Sequence, residues 1–193
     1  TFDVARISRK TNVLNGTEYA SMINEREEEA IYDLNNLGEQ YNWQDYMNRD
    51  AVTQNYRLSA SGKNGKASYY LAGGYINNQG IIKNTGLDQL DMRLNATYDF
   101  TEKLKANFKY STIRRVNNST TGNDAIGNTY TSLVRQMVTY PPIVKIDEDY
   151  EADFLYTPKA WLTDYIDKSI EFRNTLSLGL DYKINDIFTF HLL

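Results

Sequence analysis

The stretch LDQLDMRLNATYDF, residues 87–100, alternates between two kinds of side chain. Leu90, Met92, Leu94, Ala96, Tyr98 and Phe100 fall on one side, and Gln89, Asp91, Arg93, Asn95, Thr97 and Asp99 on the other. A period of two belongs to a β-strand with one face toward an apolar medium and one toward water. The polar side carries both signs of charge. Such a strand either covers a soluble core or stands in a bilayer wall with a wet lumen behind it.

The same pattern extends in both directions. Val52–Ser61 places Tyr56, Leu58 and Ala60 opposite Arg57, Ser59 and Ser61. Gly62-Lys63-Asn64-Gly65 is a tight-turn signal, and Ala67–Asn77 follows. There Tyr69, Leu71, Gly73 and Tyr75 are the more apolar side, although Tyr70, Ala72 and Ile76 blur the division. Asn78–Gly86 forms a longer connection and Thr101–Lys103 a very short one. Leu104–Arg115 then sets Leu104, Ala106, Phe108 and Tyr110 against Lys105, Asn107, Lys109 and Ser111. Alternation resumes at Phe172, with Leu176, Leu178, Leu180 and Tyr182 opposite Thr175, Ser177, Asp181 and Lys183. Asn185-Asp186 turns the chain into a last strand marked by Phe188, Phe190 and Leu192.

Two segments break the rhythm. The first begins Asn15-Gly16-Thr17-Glu18, a capping-box signature that predicts a helix over Gly16–Leu34. Tyr19, Ile23, Ala30 and Leu34 would share its buried stripe. The charged run Arg26–Glu29 reads as a solvated helix face, Gly38 as a stop, and Trp43 as a packing anchor. The second runs from Val116 to Ser169. It contains the polar run 117–123, a helical patch over Ala125–Val138 ended by Tyr140-Pro141-Pro142, and an acidic run, Asp147–Asp153.

The 193 residues have a mean hydropathy of −0.60 and a net charge of −4. No apolar run approaches the length of a membrane helix, and no basic stripe points to nucleic acid. Cysteine is absent, which removes disulfide and thiol chemistry. Sixteen tyrosines against two tryptophans suit positions with an apolar body and a wet tip. Connections alternate short and long, as in outer-membrane barrels, where short turns gather at the periplasmic end.

Several of these residues resemble the signature of SusC/RagA-type TonB-linked outer-membrane proteins. They are Asn42-Trp43-Gln44-Asp45, the run Gln54–Gly62, Tyr69-Tyr70, Gly74–Asn77, Gln79–Asn84 and Arg93-Leu94-Asn95. Leu14–Ala20 resembles the helix after the family's first barrel strand, and Tyr140-Pro141-Pro142 a proline-marked loop. Asn42, where an acidic residue is common, and Gly73, where a larger apolar one is usual, depart from the pattern.

The resemblance implies a TonB-dependent importer of glycans, oligosaccharides or peptides in the bacterial outer membrane, working with a SusD-like surface lipoprotein. TonB would engage through a plug segment this chain lacks. The expected fold is mainly β: antiparallel up-and-down strands forming part of a transmembrane β-barrel, with a short helix in each of two long extracellular loops. Residues 8–51 would be the first such loop, 52–115 four barrel strands, 116–170 the second long loop, and 171–193 further strands. With about six or seven strands and no initial Met or signal peptide, the chain is expected to be a processed form or a fragment. Leu90, Met92, Leu94, Ala96, Tyr98, Phe108, Leu176, Leu178 and Leu180 are expected to face outer-membrane lipid.

Catalytic and cofactor signals are weak. No nucleophile–His–acid order or phosphate loop appears, and no cofactor or enzymatic activity is expected. Asp147, Asp149, Glu151 and Asp153 are spaced as a calcium loop might be, but lack the turn Gly and terminal Glu of an EF-hand. His191, the one histidine, cannot build a zinc site alone. The alternative reading is a β-rich cell-surface glycan-binding or adhesin module, whose apolar strand faces would pack a core. A surface glycosidase would need a carboxylate pair that nothing singles out.

Overall fold

A computed structural model describes residues 1–119, 133–143, 157–163 and 166–193. The described chain is mainly β. Its strands are β1 (Phe2–Ala5), β2 (Ala51–Asn64), β3 (Ala67–Gln79), β4 (Gly86–Asp99), β5 (Leu104–Ser119), β6 (Asp167–Lys183) and β7 (Thr189–Leu192). They form one antiparallel sheet in strict sequence order, β1 to β7, each strand pairing its chain neighbour. Among the described residues four short helices lie in the connections: α1 (Gly16–Asn24), α2 (Trp43–Met47), α3 (Leu133–Thr139) and α4 (Pro158–Thr163).

The turns at one end of the sheet are short for local reasons. Gly65 alone with Lys66 joins β2 to β3, and its φ of +56° is what the first loop residue of a type II′ turn requires. Between β4 and β5 the Thr101 hydroxyl accepts from the Lys103 and Leu104 amides at 3.2 and 3.0 Å. Between β6 and β7 the Asn185 side chain accepts from the Ile187 and Phe188 amides at 2.9 and 2.8 Å. Both are side-chain substitutes for a backbone turn bond.

Register settles which residues share a face, because directly opposed residues in an antiparallel ladder point the same way. Leu94 opposes Leu71 and Tyr110, and Tyr110 opposes Leu176. Ala96 opposes Tyr69 and Phe108, and Phe108 opposes Leu178. Leu90, Met92, Leu94, Ala96, Tyr98, Phe108, Leu176, Leu178 and Leu180 therefore lie on one face, as the alternation predicts. The blurred strand β3 resolves with Tyr69, Leu71 and Tyr75 on that face and Tyr70, Ala72 and Ile76 behind it.

Two expectations are corrected. The first helix stops at Asn24 rather than Leu34. The capping box forms as read, with Asn15 accepting from the Glu18 amide and Glu18 from the Asn15 amide, both at 2.9 Å. At the far end, however, the Asn24 carboxamide accepts from Ile31 and Tyr32 amides at 2.9 Å and donates to the Tyr32 carbonyl at 2.7 Å. This folds the acidic run back instead of continuing the helix, and leaves Leu34 exposed. Gly38 (φ +69°) lies far past the helix end, in the irregular stretch before α2.

Second, β5 and β6 run further than alternation suggested. Ser119 opposes Asp167, and the polar run Asn117-Asn118-Ser119 is ladder, not loop. Backbone pairing does not need apolar side chains once both faces are wet. Of the helical patch expected over Ala125–Val138, residues 133–138 lie in α3 (Leu133–Thr139), and 125–132 lie outside the described residues. The calcium candidates Asp147, Asp149, Glu151 and Asp153 lie outside the described residues.

Replacing Asn24 with Ala removes all three bonds that return the chain. Amide exchange at Ile31 and Tyr32 should speed up about five- to tenfold, the size of one to two ordinary hydrogen bonds, while the Asn15-capped start of α1 keeps its protection. Hydrogen–deuterium exchange with peptide-level mass spectrometry of the full-length protein reads both.

Candidate functional site

The two faces of the sheet differ sharply, and the main buried cluster belongs to neither. The apolar face is open: Leu58 is 80% and Leu178 61% exposed, and Tyr56, Met92, Leu176 and Phe172 are likewise uncovered. The buried cluster instead comprises Trp43, Met47, Leu133, Met137 and Leu162, with Tyr41, Tyr46, Ile82 and Tyr140 around it. It is built wholly from connections at the end opposite the short turns. Its contributors are α2 from the β1–β2 connection, residues 80–85 between β3 and β4, and α3 and α4 between β5 and β6.

Trp43 is the centre of this cap. It is 3% exposed, stacks on Tyr41 (4.4 Å, 8°), and meets Tyr46 and Tyr140 edge-on at 5.9 Å. Its indole N–H donates to the Pro141 carbonyl at 2.8 Å, and the Tyr41 amide to that of Pro142 at 2.7 Å. Offset and edge contacts of this kind add to burial, and the buried N–H needs a partner. The diproline ends α3 and presents these two acceptors.

Backbone bonds knit in the β3–β4 connection. The Arg49 amide donates to Ile81, and the Lys83 amide to Met47, both at 2.8 Å. Asn84 adopts φ +62°, a conformation open to Asn more than to most residues, and its side-chain Nδ2 donates to the Leu162 carbonyl in α4 at 2.7 Å. Gln44, buried, pairs with both the amide and the carbonyl of Thr11 at 3.0 and 2.8 Å. The Tyr41 phenol is held above its ordinary pKa, first by its hydrogen bond to Glu39 and then by burial. The Lys159 ammonium sits 5.8 Å from its ring centre. A cleft of about 460 Å³ opens beside the cap between Asn12–Gly16, Tyr19, Gln40–Trp43 and the Met137–Tyr140 segment.

The polar face carries cross-strand networks. Arg115 donates to Gln89 Oε1 from Nε and Nη2 at 3.1 and 2.9 Å and pairs with Glu171 at 3.3 Å. Glu171 also pairs with Arg173 at 2.7 Å. Asp181 accepts from Asn107 at 2.7 Å and lies 2.8 Å from His191 Nδ1. His191 thus belongs to this polar face. Among the described residues, no three His, Asp or Glu side chains are grouped to hold a metal ion.

Arg57, Gly74 and Asp91 stand in one row across β2, β3 and β4. A Cβ at Gly74 would lie 2.7 Å from Asp91 Oδ1. The missing side chain lets Asp91 lean over β3 toward Arg57, at 3.8 Å. Sequence reading placed Trp43 as an anchor but did not see that three distant connections meet on it.

No protein-family model matches this chain, and no curated protein matches it.

Trp43→Ala should cost the cap about 3–5 kcal/mol, enough to open it while the ladders of β2–β6 persist. Limited proteolysis of the full-length variant should cut within 133–143 and 157–163 and spare the strands. Trp43→Phe, which keeps a ring but loses the bond to Pro141, should be cut at an intermediate rate.

Proposed function

We propose that this sheet is a stretch of the wall of a transmembrane β-barrel in a bacterial outer membrane. In this reading the chain is part of a TonB-dependent importer of the SusC/RagA kind. It takes up glycans, oligosaccharides or peptides, with a SusD-like lipoprotein above it.

The observation that carries the wall reading is the apolar face, open along its length. On β3 and β4 the upper apolar residues are Tyr75 and Leu90, above which stand Asn77 and Asp88. On β5 it is Tyr110, above which stand Thr112 and Arg114, whereas β6 carries Phe172 and Ile170 above Asn174.

The eight steps from Leu90 to Tyr98 on β4 span ~27 Å along the strand, or about 21 Å at a barrel tilt of ~40°, against a band height of about 25 Å, with Phe100 just past the strand end. At the opposite edge sit Tyr98 and Phe100, in edge contact at 4.9 Å, with Tyr182 and Phe190. Rings at that level suit a lipid–water interface.

A soluble adhesin would use the same face as a core, yet the buried residues lie in the cap. Among the described residues no helix is long and apolar enough to cross a membrane; crossing in this reading is by strands. The reading also requires further strands beside β1 and β7, since unpaired backbone in hydrocarbon costs several kcal/mol per group. The importer half of the proposal rests on the motifs between Trp43 and Asn95.

In the full-length protein Leu94→Arg should destabilise the folded barrel by about 2–4 kcal/mol if it lies near the midplane, and Asn95→Arg by far less. Denaturant titration in lipid vesicles measures both. Equal sensitivity at the two neighbouring positions would overturn the wall reading.

Sidedness gives a separate test. Strand parity puts the cap and the hairpin at Gly65 at opposite ends, so the cap faces outward and the hairpin the periplasm. In whole cells a cysteine at Glu27 should react with an impermeant maleimide, and one at Asn64 only after the outer membrane is breached. The reverse pattern would invert the topology.

A further inference from the structure

The apolar face carries two cations near its outward end. Arg114 on β5 stands in one row with Leu90 on β4 and Phe172 on β6, and all three are exposed. Lys168, two rows further out on β6, is exposed on the same face. Among the described residues neither side chain makes a hydrogen bond or ion pair. The carboxylate on this part of the face, Asp88, is already held by Asn77 at 2.6 Å and by the Tyr75 hydroxyl at 3.2 Å. Glu171, next to Phe172 in sequence, belongs to the opposite face and is paired there with Arg115 and Arg173. β5 lies inside the sheet between two long partners, so further strands beside β1 and β7 leave Arg114 uncovered.

A cation on a lipid-facing surface is tolerated near the interface, where its stem lies on apolar neighbours and its head reaches polar groups. Arg114 stands at that level, two rows above Tyr110 and flanked by Leu90 and Phe172. Four residues of rise and one strand spacing separate the backbones of Arg114 and Lys168, about 14 Å. Two long side chains span that gap between them and can meet on one anion. The anion has to come from the surroundings. At the edge of a bilayer the anionic groups are lipid head groups, which attract Lys and Arg. Phosphate oxygens match the paired N–H donors of a guanidinium.

We propose that Arg114, with Lys168, holds the phosphate of a phosphorylated lipid in the outward leaflet, whose acyl chains lie on Leu90, Met92, Leu176 and Phe172. This rests on the wall reading and deepens it. Arg114 takes two phosphate oxygens through its fork, and Lys168 adds a point charge.

The test is native mass spectrometry of the full-length protein in detergent, titrated with dilauroyl phosphatidate and with dilauroylglycerol, which differ only in the phosphate. Wild-type protein should bind the phosphatidate at least about tenfold more tightly, with an advantage that shrinks as salt rises. Inorganic phosphate in large excess should not displace it. Arg114→Gln should weaken phosphatidate about tenfold, the scale of a charged hydrogen bond, and leave dilauroylglycerol unchanged. Arg114→Lys, which keeps the charge and loses the fork, should weaken it by less, as should Lys168→Gln. Lys109→Gln removes a cation from the polar face of the same strand and should change neither lipid.

Equal affinity for the two lipids would show apolar contact alone and overturn the proposal. Displacement by inorganic phosphate would overturn it in favour of a free-phosphate site. Unchanged binding in Arg114→Gln, or an equal loss in Lys109→Gln, would overturn the assignment to this face. If Leu94→Arg and Asn95→Arg still differ as expected, such a failure leaves the wall standing and removes only the head-group site.

Discussion

Register is the constraint on which the rest of this structure depends. Five long strands, β2 to β6, are held in continuous antiparallel ladders, and every side chain's medium follows from that alignment. A slip of one residue at any ladder would turn Leu90, Met92 and Leu94 to the polar side and Asp91, Arg93 and Asn95 to the apolar one. Each turn therefore has a defined length set by a specific residue: Gly65, Thr101 or Asn185. The apolar band is continuous across strands because no ladder contains an offset that breaks it.

The cap shows the same economy at the other end. Among the described residues its three connections contribute only short helices and turns, none of which buries a core singly. α2, α3 and α4 have five, seven and six residues, each below the length at which an isolated helix is stable. Shared burial around Trp43 replaces intrinsic helix stability, and the diproline at Pro141-Pro142 exchanges helix continuation for two carbonyls aimed at Trp43 and Tyr41. The cap is thus a tertiary object whose parts have little structure of their own.

This explains what could be read in advance. Strands β2 to β6 were legible because alternation is a local pattern, and residues 87–100 show it without interruption. The capping box at Asn15 and Glu18 was legible for the same reason. The end of α1 was not, because it depends on a side chain bonding residues seven and eight positions on. The outer ends of β5 and β6 were missed because Asn117-Asn118-Ser119 has the composition of a loop, while only its partner 167–169 makes it a strand. The role of Gly74 was also hidden. A glycine inside a strand reads as a weakness, and its use appears only when Arg57 and Asp91 stand on either side of it. Within the cap, Trp43 was recognisable as an anchor, but its partners Leu133, Tyr140 and Leu162 are too far along the chain for any spacing rule to connect.

That distance has a consequence for how the chain reaches its final form. Hairpins joined by two to five residues can assemble from neighbouring segments, whereas the bond from Trp43 to Pro141 closes a loop of 98 residues and must await the ladders between them. Closing the cap is therefore a checkpoint on everything formed earlier. A chain in which β4 or β5 had paired out of step would carry α3 to the wrong place and leave Trp43 without its partner. The indole, in effect, proofreads the alignment of strands it never touches.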